Sequence, residues 1–253
     1  HIFAQVRGRG DSFYNSNIVP KSNLIDPNFD PLDYLLANCK NKDIKVHAWL
    51  NIYYLWSSPK KPEQIDHLFF LKPEWLDRKK DDEYILKKEF LVKEKKINHD
   101  REGFFLAPTN MDVNLHLVSV ISELTKNYQV DGIHYDYIRY HSAEYGYNKL
   151  GLSMFYEVNN QEDGLFDDDF HRMFSDYKSN SITKFVKKAN FVIKNNLPKC
   201  IISAAVKPNI FNAKLTFSQE WDLWLSAGYI DWAVPMNYFT DNSDFVQNMY
   251  IIK

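Results

Sequence analysis

The chain has 253 residues, 45% hydrophobic and 16% aromatic, enough to bury one large core. With 31 Lys and Arg against 33 Asp and Glu, the net charge is −2, so no global field draws it to nucleic acid or an anionic membrane. The apolar runs fall far short of a transmembrane span, and the two cysteines, Cys39 and Cys200, form neither a zinc motif nor a disulfide framework.

Ile2–Arg7 reads as a strand already under way at His1, with no initiator Met. The end at Tyr250-Ile-Ile-Lys253 carries no termination signal, so the chain reads as part of a longer protein and its lack of a signal peptide is uninformative. Asp30–Cys39 reads as a helix, with Asp30 as N-cap and Pro31 in the first turn, and Ile44–Asn51 as the second strand. Residues 57–102, rich in Lys, Asp and Glu and containing Lys79-Lys-Asp-Asp-Glu83, read as solvated loop. Asn114–Tyr128 is an amphipathic helix, with Val118, Ile121 and Leu124 on one face, feeding a buried strand at Val130–Tyr137. Residues 141–175 form a second long loop; its Asp167–Asp169 run lacks the spaced ligands and Gly of a calcium loop, and no metal or cofactor is expected. Helix Asp176–Asn195, strand Cys200–Lys207, helix Ser218–Ala227 and strand Ile230–Tyr238 complete the series. The alternation predicts parallel βαβ units in one α/β domain spanning residues 1–253.

Side chains alternate across a strand, which divides each segment into two sets. Ile2, Ala4, Val6, Val46, Ala48, Leu50, Ile133, Tyr135, Ile202, Ala204, Val206, Val234 and Met236 suit packing beneath helices. The opposite set is Gln5, Arg7, Arg9; His47, Trp49, Asn51; Gly132, His134, Asp136; Ser203, Ala205, Lys207; and Ala233, Pro235, Asn237. It becomes polar toward each strand's carboxyl end. Five polar ends meet only if the sheet closes around them, as in a β/α barrel with catalytic groups at its C-terminal rim.

Asp136 is the expected catalytic carboxylate; the alternative is a structural ion pair with Arg139 or Arg7. A nearby Arg would hold its pKa down and favour a nucleophile or base over an acid. His47 and His134 are balanced between ligand contacts and satisfied core residues. Arg7 and Asn51 are expected donors to ligand oxygens, with Lys207 a further candidate. Trp49, Trp56, Tyr137, Tyr140, Trp221 and Tyr238 offer the rings on which sugars stack, whereas Trp224 reads as core. Glycoside hydrolysis normally needs a second carboxyl group, for which Asp11, Glu144, Asp241 or a residue outside the chain all qualify. Arg9-Gly10-Asp11 matches an adhesion tripeptide by chance, and no nucleotide fingerprint or nucleophile elbow occurs.

Six motifs occur in order: Gln5-Val-Arg-Gly-Arg-Gly-Asp11, Asp30-Pro-Leu32, Val46-His-Ala-Trp-Leu-Asn51, Pro73-Glu-Trp-Leu76, Val130-Asp-Gly-Ile-His-Tyr-Asp-Tyr-Ile-Arg-Tyr140 and Val234-Pro-Met-Asn-Tyr238. Together they resemble the glycosyl hydrolase-like family 10, formerly domain of unknown function 187, over essentially the whole chain. The resemblance implies a (β/α)8 TIM-type barrel with its second to sixth strands here and its first and last two outside. It also implies an exported or lipid-anchored bacterial protein acting on a carbohydrate, with Asp136 as acid or nucleophile among Arg7, His47, Asn51, His134 and Asn237. Against the family 18 chitinase strand motif, Asp131 and Asp136 match, but His134 and Ile138 replace the second Asp and the catalytic Glu. Substrate-assisted chitinase chemistry is therefore not expected. The competing expectations are a glycoside hydrolase, a carbohydrate-binding barrel without catalysis, and a polysaccharide lyase or deacetylase. The oligomeric state is not legible in the sequence.

Overall fold

A computed structural model describes residues 1–80, 102–159 and 168–251. Much of the first charged stretch and part of the second, including Asp167, lie outside the described residues. In chain order the elements are β1 (Ile2–Arg7), α1 (Pro31–Cys39), β2 (Val46–Asn51), β3 (Tyr54–Trp56), α2 (Leu68–Leu71) and β4 (Phe104–Phe105). They continue with α3 (Met111–Asn127), β5 (Gly132–Asp136), α4 (Lys149–Asn159), α5 (Asp168–Asn196), β6 (Ile201–Val206), α6 (Ile210–Phe217), α7 (Trp221–Ser226), β7 (Trp232–Pro235) and α8 (Asn242–Ile251). Strands β1, β2, β5, β6 and β7 form one sheet in that order, with every neighbouring pair parallel. β3 and β4 form a separate antiparallel hairpin.

The helices begin where their sequences supply caps. Asp30 accepts hydrogen bonds from Leu32 N–H at 3.1 Å and Asp33 N–H at 3.0 Å, with Pro31 in the first turn, as the sequence predicts. Asn110 caps α3 through Asp112 N–H, so this helix starts three residues before the predicted Asn114. α5 begins at Asp168 rather than Asp176; Asp168 and Asp169, expected in a loop, lie in its first turn, where the helix dipole favours carboxylates. Ser218, expected to begin a helix, instead ends α6 in the left-handed conformation, at φ 53°.

The apolar set forms the helix-side core. Val6, Val46, Ala48, Leu50, Ile133, Tyr135, Ile202, Ala204 and Val206 are all buried in one cluster with Leu117, Val120, Leu124, Ile182, Val186 and Trp224 from the helices. On the opposite face, the Trp232 ring of β7 stacks on His47 of β2 at 5.4 Å. Those strands are three places apart, about 14 Å in a flat sheet. The sheet is therefore curled into a trough, with helices on its convex side.

Two strand ends differ from the predicted alternation. The β1–β2 register slips between Gln5 and Arg7, so Arg7 pairs with the helix-side residue Leu50 rather than following Gln5 into the trough. On β7, Ala233 pairs with Ala204 and Pro235 with Val206, both buried on the helix side. Trp232 and Val234 consequently face the trough, one residue out of phase with the sequence reading. Ala-Val-Pro-Met is apolar in both phases, so the pattern holds no signal to set the register.

Candidate active site

The carboxyl ends of β2 and β5 place Asn51 and Asp136 side by side in register. Asp136 is half-buried and accepts a hydrogen bond from Tyr137 N–H at 2.7 Å. Burial pushes its pKa up; the Tyr137 amide and Arg139 pull it down, and the negative charge of Glu102 pushes it up again. The net rise corrects the sequence expectation of a carboxylate held down by Arg, because desolvation outweighs the cation. Directly after Asp136 the backbone turns through Tyr137 at φ 49°, a left-handed conformation that costs a non-glycine residue on the order of 1 kcal/mol. The turn lays the Tyr137 ring on Tyr54, with centroids 4.4 Å apart.

Arg139 is nearly buried and makes a two-pronged contact with Glu102, Nη2 lying 3.2 Å from Oε1 and 3.0 Å from Oε2. Its guanidinium lies 5.1 Å from the Tyr137 ring centroid and 5.2 Å from that of Phe217. Lys207 Nζ sits 4.6 Å from the Phe217 centroid, its pKa lowered by desolvation and by Arg139 against the opposing pull of Glu102 and Asp136. Trp49 Nε1 donates to Asn51 Oδ1 at 2.9 Å, and Asn51 Nδ2 donates to Gly8 O at 3.0 Å. Beside these groups opens a cleft of about 580 Å³, lined by Gln5, Asp11, Asn51, Tyr54 and Trp56. The cleft adjoins Asp136 through Asn51, its strand neighbour, and is not itself lined by Asp136 or Glu102. A more apolar groove of about 560 Å³ lies on the helix side between α3 and α5.

Glu102 and Tyr54 were missed by sequence reasoning because Tyr54 lies in β3, just before the charged stretch, and Glu102 closes that stretch two residues before β4. The available signal was Glu102-Gly-Phe-Phe105, a carboxylate beside a glycine and an aromatic pair. Gly103, at φ 108°, lets the chain pass against the Trp56 carbonyl, where a Cβ atom would collide with the oxygen. Gly103→Ala is therefore expected to lower the melting temperature by several degrees and to pull Glu102 from Arg139, as read by thermal unfolding and crystallography.

The remaining expected site residues are scattered. Arg7 is fully buried and donates to the main-chain oxygens of Asn51 and, at 3.1 Å, Ile52, so it braces the end of β2 and does not face the cleft. His47 is buried four residues before Asn51, about 13 Å down the strand, with Phe3 and Trp232 stacked on its ring. His134 lies between these levels, its Nδ1 2.9 Å from Ser203 Oγ; burial lowers its pKa to about 4 and keeps the ring neutral. Asp11 lines the cleft, with Oδ1 accepting from Arg9 N–H at 2.9 Å. Glu144 is a surface residue paired with Lys79 at 3.1 Å, and Asp241 accepts from Ser243 N–H at 2.7 Å at the start of α8. Asn237, part-buried, and Tyr238, 85% exposed, follow the carboxyl end of β7. Among the described residues no group of three or more His, Cys, Asp or Glu side chains is arranged to hold a metal, and no helix is long and apolar enough to cross a membrane.

A parallel α/β sheet with two acidic side chains and aromatic rings at its carboxyl-end mouth is the arrangement of a glycoside-hydrolase-like protein. The chain belongs to the glycosyl hydrolase-like 10 family, whose profile matches residues 1–251. It is 29% identical over 141 residues to the glycosyl hydrolase DigH of Escherichia coli (strain K12), a match covering 53% of this chain and 30% of DigH. It is 22% identical over 262 residues to the glycosyl hydrolase YngK of Bacillus subtilis (strain 168), covering 94% of this chain and 46% of YngK. The chain thus spans less than half the length of these curated relatives. In three dimensions it is similar to the PgaB (BpsB) glycoside hydrolase domain from Bordetella bronchiseptica, with TM-score 0.66 and 10% identity over 98% of this chain and 68% of that one. An alpha-L-fucosidase isoenzyme 2 from Paenibacillus thiaminolyticus gives TM-score 0.55 at 14% identity, covering 80% of this chain and 26% of that one. At these identities the structural likeness speaks for the fold alone.

Proposed function

We propose that the chain is an arc of a (β/α)8 barrel belonging to a glycoside hydrolase that cleaves a polysaccharide or oligosaccharide, in an exported or lipid-anchored bacterial protein. Asp136 protonates the leaving glycosidic oxygen, and the Glu102 carboxylate, steadied by Arg139, acts as nucleophile or as base toward water. Gln5, Asn51, Tyr54 and Trp56 hold the sugar in the cleft, with Lys207 facing the reacting groups. The observation that carries this reading is the pairing at one mouth of a carboxyl raised by burial with a second carboxylate held by a buried Arg. Its test is reducing-end release by the full-length protein across a panel of bacterial and plant polysaccharides: release from at least one is expected, and release from none counts against it.

The two-pronged Arg139–Glu102 contact also favours a second reading, in which Glu102 only braces Arg139 and the barrel binds carbohydrate without cleaving it. Retained oligosaccharide affinity with no bond cleavage in the wild-type protein would support this alternative.

A further inference from the structure

We propose that Lys178, on α5 outside the sheet, is a positioning residue that fixes the loop after Asp136 and thereby sets the Arg139–Glu102 pair. The proposal deepens the hydrolase reading and rests on it for its kinetic arm alone. Lys178 is an unusual tenant for its site, being 7% exposed in a helix whose neighbouring buried residues are largely apolar. Its Nζ donates to Ala143 O at 3.1 Å and to Tyr145 O at 3.0 Å, carbonyls that belong to the loop leaving β5. It also lies 5.3 Å from the centroid of Tyr140, a fully buried ring.

The same loop is stitched from its other side. Asp77 Oδ1 accepts from Gly146 N–H at 3.0 Å, and Asn148 Nδ2 donates to Glu74 O at 2.8 Å and Leu76 O at 2.9 Å. Gly146, at φ 117°, leaves the space through which the Lys178 stem passes. The negative charge of Asp77, across the loop, opposes the desolvation of Lys178.

The path to the mouth is short. Tyr140 N–H donates to Phe217 O at 3.1 Å, and Tyr140 O accepts from Arg139 Nη1 at 3.1 Å, so the residue under Lys178 holds the guanidinium that grips Glu102. The loop begins at Tyr137 in its left-handed conformation, and such a conformation persists only where its surroundings over-determine it. Lys178 supplies that constraint from the helix layer.

The test compares Lys178→Met and Lys178→Arg in the full-length protein by thermal unfolding, crystallography and reducing-end kinetics on whichever polysaccharide the wild type cleaves. Lys178→Met, still cooperatively folded, is expected to separate Arg139 from Glu102 and move Tyr137 out of the left-handed region. Its kcat should fall about 100-fold with KM nearly unchanged, and Lys178→Arg should restore most of the loss. A folded Lys178→Met with the pair and the Tyr137 turn in place would overturn the proposal. If the Met variant does not fold, Lys178→Gln, which keeps one donor, is read by the same criteria; failure of both to fold would make Lys178 a folding requirement only and equally overturn it. If the wild type cleaves nothing, the hydrolase reading fails while the crystallographic arm still decides the role of Lys178.

Discussion

Asp136→Asn is expected to reduce reducing-end release at least about 1,000-fold, in keeping with the loss of a general acid, while oligosaccharide affinity stays within about threefold of wild type. Asn keeps the shape of Asp and can still accept the Tyr137 N–H bond now made at 2.7 Å, so the left-handed turn and the Tyr54–Tyr137 stack should survive. What it lacks is the proton that a buried carboxyl retains above the usual Asp range. Calorimetry with a bound oligosaccharide alongside the release assay separates the two effects. Equal losses in affinity and turnover would show that Asp136 merely binds.

Glu102→Gln should have the second-largest effect, a loss of about 100-fold or more in turnover. The amide oxygen can still accept from Arg139, so the 5% exposed Arg139 side chain keeps a partner and the fold should persist with a small loss of melting temperature. Removing the negative charge of Glu102 also removes one cause of the raised Asp136 pKa and leaves Arg139 a stronger influence on it. The limb of the pH–rate profile on which the acid deprotonates is therefore expected to shift to lower pH. An unchanged profile with undiminished turnover would mean that the second carboxylate lies elsewhere.

The Asp77 carboxyl, raised to about 7 mainly by burial, gives a separate pH-dependent outcome. A carboxyl raised on folding binds a proton that the unfolded chain has released, so its stabilising contribution falls as pH rises from about 4 to 7. Asp77→Asn has no such dependence while retaining an acceptor for Gly146 N–H. Measured by denaturant unfolding, its stability relative to wild type should rise by about 2.5 kcal/mol between pH 5 and 7.5.

The parallel sheet, the convex core and the position of Asp136 were legible because each rests on a local signal: apolar alternation, the Asp30-Pro31 cap, and a polar residue ending a buried strand. Arg7 escaped because a single extra residue near Val6 changes its face, and alternation cannot foresee a bulge. The Ala233–Pro235 phase escaped because both faces of that strand are apolar. Glu102 was least visible, 34 residues before Asp136 and at the end of the long charged stretch that separates the hairpin arms at 54–56 and 104–105. Charge density there reads as solvated surface, and only the fold shows one of its carboxylates turned onto Arg139. Asp11, Glu144 and Asp241 were placed by their distance after strand ends; the structure sets Asp11 in the cleft lining, whereas Glu144 pairs with Lys79 on the surface and Asp241 accepts from Ser243 N–H at the start of α8.

The most direct measurement is a carbon-13 NMR titration of the Asp136 side-chain carboxyl in the full-length protein, in wild type and in Glu102→Gln. The expected result is a midpoint above the ordinary value of 3.8 in wild type and a lower one in the variant. A wild-type midpoint at or below that value, or one that Glu102→Gln leaves in place, would contradict an acid raised by burial beside a second carboxylate.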